Sequence, residues 1–284
     1  MSIVVTGATG PLGRLIIDHL IARGADPASI VGVGRNTERL AELATTGIRT
    51  AVVDYSDRES LDAALAGAGT LMLVSGSEVG QRVDQHSNAI DAAVAAGVSH
   101  IVYTSAPHAD ATPLILAPEH KATEELIRAS GIPFTILRNN WYTENYVATV
   151  EQARATGAYV ASTGDGRVAS ASRTDYAEAA AVVILEDGHE NTVYELSGDV
   201  AWNGTDFAAT LSEITGRDIA YTPVSPDEHT AILTGAGLDE GTAGFVVALD
   251  QNIRDGLLGE TSGDLSRLIG HPTTPLAQGL TATA

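Results

Sequence analysis

Over its first 140 residues the chain alternates short apolar runs with longer helical patterns, and few folds accommodate that rhythm. The runs are Ile3-Val4-Val5, Ile30 to Val33, Thr50 to Val53, Leu71 to Val74, Ile101-Val102-Tyr103 and Phe134 to Leu137. They are apolar throughout and rich in β-branched residues. Strands of that kind are covered on both faces, which predicts a parallel sheet with crossover helices. The intervening patterns predict helices over Leu12–Arg23, near Glu38–Thr45, Ser56–Ala66, Val83–Ala96 and near Glu119–Ala129. A Ser/Asp cap pattern opens the third of these.

After Asn139 the rhythm breaks. Val193 to Leu196 reads as one further strand, and Thr205–Thr215 and Pro226–Gly235 as helices, with Gly216 stopping the first. Arg173 begins a helix after the Gly164-Asp165-Gly166 turn. The tail, HPTTPLAQGL, allows only a short final helix. The expected organisation is a core over 1–140 and a smaller α/β substrate lobe over 141–284, with some of its segments returning to the core.

Gly7-Ala8-Thr9-Gly10-Pro11-Leu12-Gly13 joins the first strand to the first helix. Glycines permit a tight turn and let backbone approach a pyrophosphate, while the helix N-terminus offers free N–H groups and partial positive charge. Pro11 suits the first helical turn. A plain glycine-rich turn is the alternative. The flanking strand and helix favour dinucleotide binding in a Rossmann-type, doubly wound α/β fold. A chain selecting NAD usually ends its second strand in an acid that binds the ribose 2′-OH. Here the strand ends in Arg35-Asn36, and an Arg there suits a 2′-phosphate, with Arg39 adding charge. Two solvated arginines are the alternative. Asp54, after the third strand, is placed to accept from the adenine amino group, or to cap the helix that follows.

Composition narrows the partners. Lys plus Arg number 16 and Asp plus Glu 36, a formal charge of −20. Such a polyanion is repelled by nucleic acid and by anionic lipid. Hydrophobic residues make up 44%, enough for a sizeable core. Cysteine is absent, which removes disulfides, Cys-ligated zinc and thiol catalysis from consideration. No basic leader precedes the first apolar run and no stretch nears the ~20 apolar residues of a membrane span, so a cytoplasmic protein is expected. The histidines lack His-x-x-x-His spacing, no metal site is expected, and no Gly-x-Ser-x-Gly elbow suggests a hydrolase.

TGATGPLG, the Arg35 position, VSGSEVGQR from Val74 and LRNNWYTENY from Leu137 together resemble the atypical short-chain dehydrogenases of the NmrA-like group. Within that group the resemblance is greatest to NADPH-dependent quinone oxidoreductases, with triphenylmethane dye reductases as near relatives. It runs nearly end to end, through GDGRVAS near Gly164 and LIGHPTTPLA near Leu268. It implies NADPH as cofactor and hydride transfer to a quinone or other flat aromatic acceptor; a homodimer is compatible with it. By the same resemblance Thr6, Gly7, Ala8, Thr9, Gly10, Pro11, Leu12 and Gly13 cradle the pyrophosphate and Arg35 holds the 2′-phosphate. Ser75, Gly76, Ser77, Glu78 and Val79 contact the cofactor. Asn139, Asn140, Trp141 and Tyr142, within the segment to Glu144, line the nicotinamide and acceptor side. Amide and phenol groups can bond quinone oxygens, and an aromatic face can stack on a flat ring. Thr104 and Ser105 end the fifth strand, where the wider superfamily keeps a hydroxyl near the substrate.

Ordinary short-chain dehydrogenases reduce ketones with a Tyr and a Lys four residues later. None of the eight tyrosines has that partner, and the single lysine, Lys121, has Ala at 117. A quinone asks less, because its hydride adduct is delocalised and weakly basic, so positioning and a few donors suffice. In isoflavone-reductase-like members a Lys sits eleven residues before the Gly of the Gly-Ile-Pro turn. Counting back from Gly131 puts His120 there, a proton donor by its ordinary pKa of ~6.5, or a structural histidine. Lys121 points about 100° away and reads as a surface residue. Two other functions fit the same residues. One is a redox sensor that binds NADP(H) and a protein partner without turnover, and the other a dye or nitroaromatic reductase.

Overall fold

A computed structural model describes residues 2–282. They divide into two units. The first comprises the stretch up to Asp110, Leu116–Asn139 and Arg173–Leu196, and the second Ala111–Ile115, Asn140–Ser172 and the stretch from Ser197 on.

In the first unit, β1 (Ser2–Val5), α1 (Pro11–Ala22), β2 (Ile30–Gly34), α2 (Thr37–Ala44), β3 (Arg49–Val52), α3 (Arg58–Leu65), β4 (Ala68–Leu73), α4 (Arg82–Ala96), β5 (His100–Ser105), α5 (Ala117–Ala129) and β6 (Phe134–Asn139) follow one another. The chain returns to this unit for α7 (Arg173–Leu185) and β8 (Thr192–Leu196), after α6 (Val147–Thr156) and β7 (Ala158–Ala161) of the second. The seven strands form one sheet in the order β3-β2-β1-β4-β5-β6-β8, parallel throughout. This is a doubly wound sheet, whose strand order reverses between β1 and β4. Ligands of such sheets bind outside the strands' carboxyl ends at that point.

Burial explains the strands. Val4, Val5, Leu71, Met72 and Leu73 are almost wholly buried, as a sheet covered on both faces requires. The third strand departs from expectation. β3 lies at the sheet edge, its burial is partial, and Val52 is 58% exposed, because only one neighbour and one face cover it. Helix α1 buries Ile16, Ile17 and Leu20 and lies against α7. The buried Ala177, Ala179, Ala180 and Ala181 of α7 carry no side chain long enough to hold a neighbouring helix away.

The second unit holds α6 (Val147–Thr156), β7 (Ala158–Ala161), α8 (Gly204–Thr215), β9 (Ala220–Pro223), α9 (Pro226–Gly235), α10 (Glu240–Arg254), α11 (Asp264–Ile269) and α12 (Leu276–Thr281). β7 and β9 pair in parallel as a two-stranded sheet. Its core is aromatic, with Trp202 stacked on Phe207 and Tyr159 on Tyr221. His229 and Ser162 meet on Asp250, tying α9 and the end of β7 to α10.

Ile16 is fully buried in α1. Ile16→Ala is expected to lower the unfolding free energy by about 2–5 kcal/mol in a denaturant titration, from lost transfer energy and the cavity left behind.

Candidate functional site

The turn after β1 is shaped by close backbone approach. Gly7 has φ +60°, and Gly10 N–H donates to Gly7 O at 2.8 Å. A Cβ on Gly13 would stand 2.3 Å from Gly7 O, and one on Gly34 2.7 Å from Thr9 Oγ1. Ala8 N–H donates to Val33 O at 3.0 Å, fixing the turn to β2. Gly10 is the N-cap of α1, no side chain caps it, and Pro11 occupies its first turn. The N–H groups of that turn and the helix dipole therefore remain directed at whatever anion sits there. Thr6 falls outside this cradle. Its N–H and hydroxyl both donate to Met72 O, and its oxygen accepts from Val74 N–H at 2.9 Å, so it latches β1 to β4. Tyr55 Oη adds to the latch, 2.6 Å from Thr6 Oγ1.

Arg35 follows β2 directly. Its Nη1 lies 2.6 Å from Glu78 Oε1, and Gln85 Nε2 donates to Glu78 Oε2 at 2.8 Å. The Gln85 bond and then the Arg35 charge hold the Glu78 carboxyl below the usual carboxylate range. Arg39 reaches back to donate to Thr9 O at 2.8 Å, and Asn36 caps α2 by accepting from Arg39 N–H. A depression beside the turn is lined by Thr9, Gly10, Pro11, Arg14, Arg39 and Glu42. Asp54 accepts from Ser56 N–H at 2.8 Å, while Asp57, not Asp54, caps the following helix.

The segment after β4 carries Ser75 to Val79. Ser75 N–H donates to Thr104 Oγ1 at 2.8 Å, while Ser77 and Val79 are exposed. Side chains the sequence reading passed over hold this segment. Gly76 N–H donates to His86 Nε2 at 3.1 Å, Arg82 Nε donates to Gly76 O, and Arg82 Nη1 pairs with Glu119 at 2.9 Å. His86 therefore carries its proton on Nδ1 and donates it toward Thr123 Oγ1 at 2.9 Å. Burial, then the Arg82 charge, pushes the His86 pKa down to about 3.

His120 lies on α5 with Nδ1 2.8 Å from Tyr103 Oη. Burial pushes its pKa down to about 3, with the charges of Arg82 and His86 acting in the same direction. The imidazole is thus neutral at ordinary pH, which corrects the expectation of a proton donor titrating near 6.5: a neutral ring can donate a hydrogen bond but is not a source of acid. Burial also raises the Tyr103 phenol. Lys121 is exposed and donates to Asp110 O. Ser105 is buried and donates to Glu124 at 2.6 Å rather than standing ready for a substrate. Glu124 grips Arg138 through two oxygens at 2.9 and 2.7 Å, and Arg138 also meets Glu195 and Asp110. Burial opposes the Arg138 charge, but hydrogen bonds to these three carboxylates outweigh it and raise its pKa.

Asn139 is buried at the end of β6. In the second unit, Asn140 Nδ2 donates to Leu258 O at 3.1 Å, while its buried Oδ1 has no protein partner. Trp141 and Tyr142 are half-buried, and Ala171 N–H donates to Trp141 O at 3.1 Å. Arg173, half-buried, opens α7. No cluster of potential metal ligands occurs among the described residues.

Glycine turn, basic strand end and parallel switch point define an NAD(P)H-binding α/β protein. The model of the NAD(P)H-binding family matches residues 7–187, and the chain belongs to that family. It is 47% identical to quinone oxidoreductase 2 of Escherichia coli (strain K12), covering 97% of this chain and 96% of that one. The crystal structure of E. coli NADPH-dependent quinone oxidoreductase QOR2 complexed with NADPH matches at a TM-score of 0.94, over 99% of both chains. Citrobacter sp. triphenylmethane reductase complexed with NADP(H) matches at 0.94 with 39% identity, over 100% of both chains.

The buried histidines give a stability expectation. Their folded pKa values lie below 6.5, so at lower pH the unfolded chain binds protons the folded chain does not. Stability is full above pH 6.5 and falls as pH drops from there toward 3. Urea unfolding at pH 7 and 5.5 is expected to differ by about 2 kcal/mol, near 1.4 kcal/mol per unit and group. His120→Phe is expected to remove about half of that slope; an unchanged slope would show that His120 is not held neutral.

Proposed function

We propose that this protein is an NADPH-dependent quinone reductase. The observation that carries the reading is a cradle only backbone glycine can form, followed at the end of β2 by an arginine and no acid. The 47% identity to quinone oxidoreductase 2 over nearly the full chain supports the acceptor class. When bound, NADPH supplies the hydride, and the net reaction is quinone + NADPH + H⁺ → hydroquinone + NADP⁺.

The cradle residues fit the cofactor. Gly7, Ala8, Thr9, Gly10, Pro11, Leu12 and Gly13 would hold the pyrophosphate on the open end of α1, and Arg35 would grip the 2′-phosphate with charge-assisted bonds. Ser75 and Gly76, fixed by Thr104 and His86, would position the cofactor at the switch point. Asn139 and Trp141 would orient the nicotinamide. Asn140 and Tyr142 would offer amide and phenol groups to the acceptor's oxygens, and the orphaned Asn140 Oδ1 is a buried acceptor suited to a polar hydrogen. His120, neutral and braced by Tyr103, would contribute a hydrogen bond to developing negative charge. The proton that completes the hydroquinone comes from water, because the adduct is weakly basic. The reading places the enzyme in the cytoplasm. A flat dye cation is the second acceptor class, favoured by the similarity to triphenylmethane reductase.

Steady-state oxidation at 340 nm with 1,4-benzoquinone tests the reading. NADPH is expected to support a higher kcat/KM than NADH. Arg35→Gln is expected to raise the KM for NADPH about tenfold, the scale of one lost charge-assisted contact, and to change that for NADH little. Equal losses with both cofactors would remove the 2′-phosphate assignment.

A further inference from the structure

The 2′ end of the candidate cofactor site carries a carboxylate that the proposed function does not use. Glu78 Oε1 stands 2.6 Å from Arg35 Nη1, the guanidinium assigned to the 2′-phosphate. The two residues are 43 positions apart, and the sheet order brings them together: β2 and β4 flank β1, and both segments leave from carboxyl ends. The pair is not symmetrical. Glu78 is held from behind by Gln85, a buried residue of α4, through its second oxygen at 2.8 Å. The Arg35 side chain is 62% exposed, against 33% for Glu78, so the arginine is the freer member.

A 2′-phosphate arriving at Arg35 meets this carboxylate in two ways. Glu78 already accepts from an N–H that the phosphate would use, and its negative charge repels a dianion brought within a few Å. Asp54 is near enough for its charge to act on Glu78, so the surroundings are more acidic still. Arg39, four residues after Arg35, is engaged with Thr9 O. A bare 2′-hydroxyl carries no charge and meets neither obstacle. The resemblance to the NmrA-like group places Glu78 among the cofactor contacts, but the geometry points to a different part. We propose that Glu78 is a specificity-determining residue that restrains the NADPH preference created by Arg35, by competing with the 2′-phosphate for the same guanidinium. This rests on the reading of Arg35 as the phosphate residue.

The test is calorimetric titration with NADP⁺ and with NAD⁺, with no acceptor present, giving the ratio of the NAD⁺ Kd to the NADP⁺ Kd. Exposed charge pairs shift equilibria by a few-fold rather than by orders of magnitude. In Glu78→Gln the ratio is expected to rise about threefold. Glu78→Ala, which also removes the acceptor oxygens, is expected to move it in the same direction, and melting curves establish that both variants are folded. A wild-type ratio above one that both variants leave unchanged or lower overturns this proposal alone. A wild-type ratio at or below one overturns the Arg35 reading and the proposal with it.

Discussion

The approach of Gly13 to Gly7 O is the contact on which the arrangement of the first unit turns. A side chain on Gly13 would sit 2.3 Å from that oxygen, so α1 can begin where it does only with glycine there. With the turn closed, α1 starts directly beyond β1 and its open N-terminus stands at the sheet's switch point. The turn is held at both sides, by Ala8 bonded to β2 and by Thr6 bonded to β4. The same constraint reaches outward. α1, fixed on the sheet, lies against α7, whose buried alanines let the two helices approach closely.

Around this cradle the titratable groups are arranged for position rather than for acid–base chemistry. His86 and His120 are neutral and buried, each tied to a hydroxyl. Buried Ser105, Glu124 and Arg138, with half-buried Glu195, form a polar network across the ends of β5, β6 and β8. A ketone reductase needs a proton donor poised near the operating pH. A quinone reductase does not, and the absence of a Tyr–Lys pair agrees with that difference in demand.

Much of the fold was legible because parallel strands buried on both faces must be apolar and short, and β1, β2, β4, β5 and β6 are. β3 was legible as a strand but not as an edge, because β-branched residues also populate edges, where Val52 is exposed. β7, α6 and α10 went unread. β7 is Ala-Tyr-Val-Ala, too short and mixed to stand out, and its partner β9 ends in proline. The glycine turn and the arginine that follows β2 were legible because both depend on local sequence. Thr6 as a latch, Glu78 on Arg35, His86 under Gly76 and Glu124 on Arg138 were not. Each joins residues from separate strands or helices, and only the sheet order sets which of them meet. The loss of acidity at His120 was hidden for the same reason, since burial is a property of the packed state.

The charge of −20 repels polyanions, whereas a small neutral acceptor meets no such barrier. The proposed reaction is direct hydride transfer from bound NADPH to a quinone without a dedicated proton donor. Anaerobic single-turnover mixing of the NADPH-loaded protein with 1,4-benzoquinone tests it most directly. Absorbance at 340 nm is expected to decay in one acceptor-dependent phase, with one hydroquinone formed per NADPH lost. NADPH that stays bound and reduced, decaying no faster than without quinone, would contradict it.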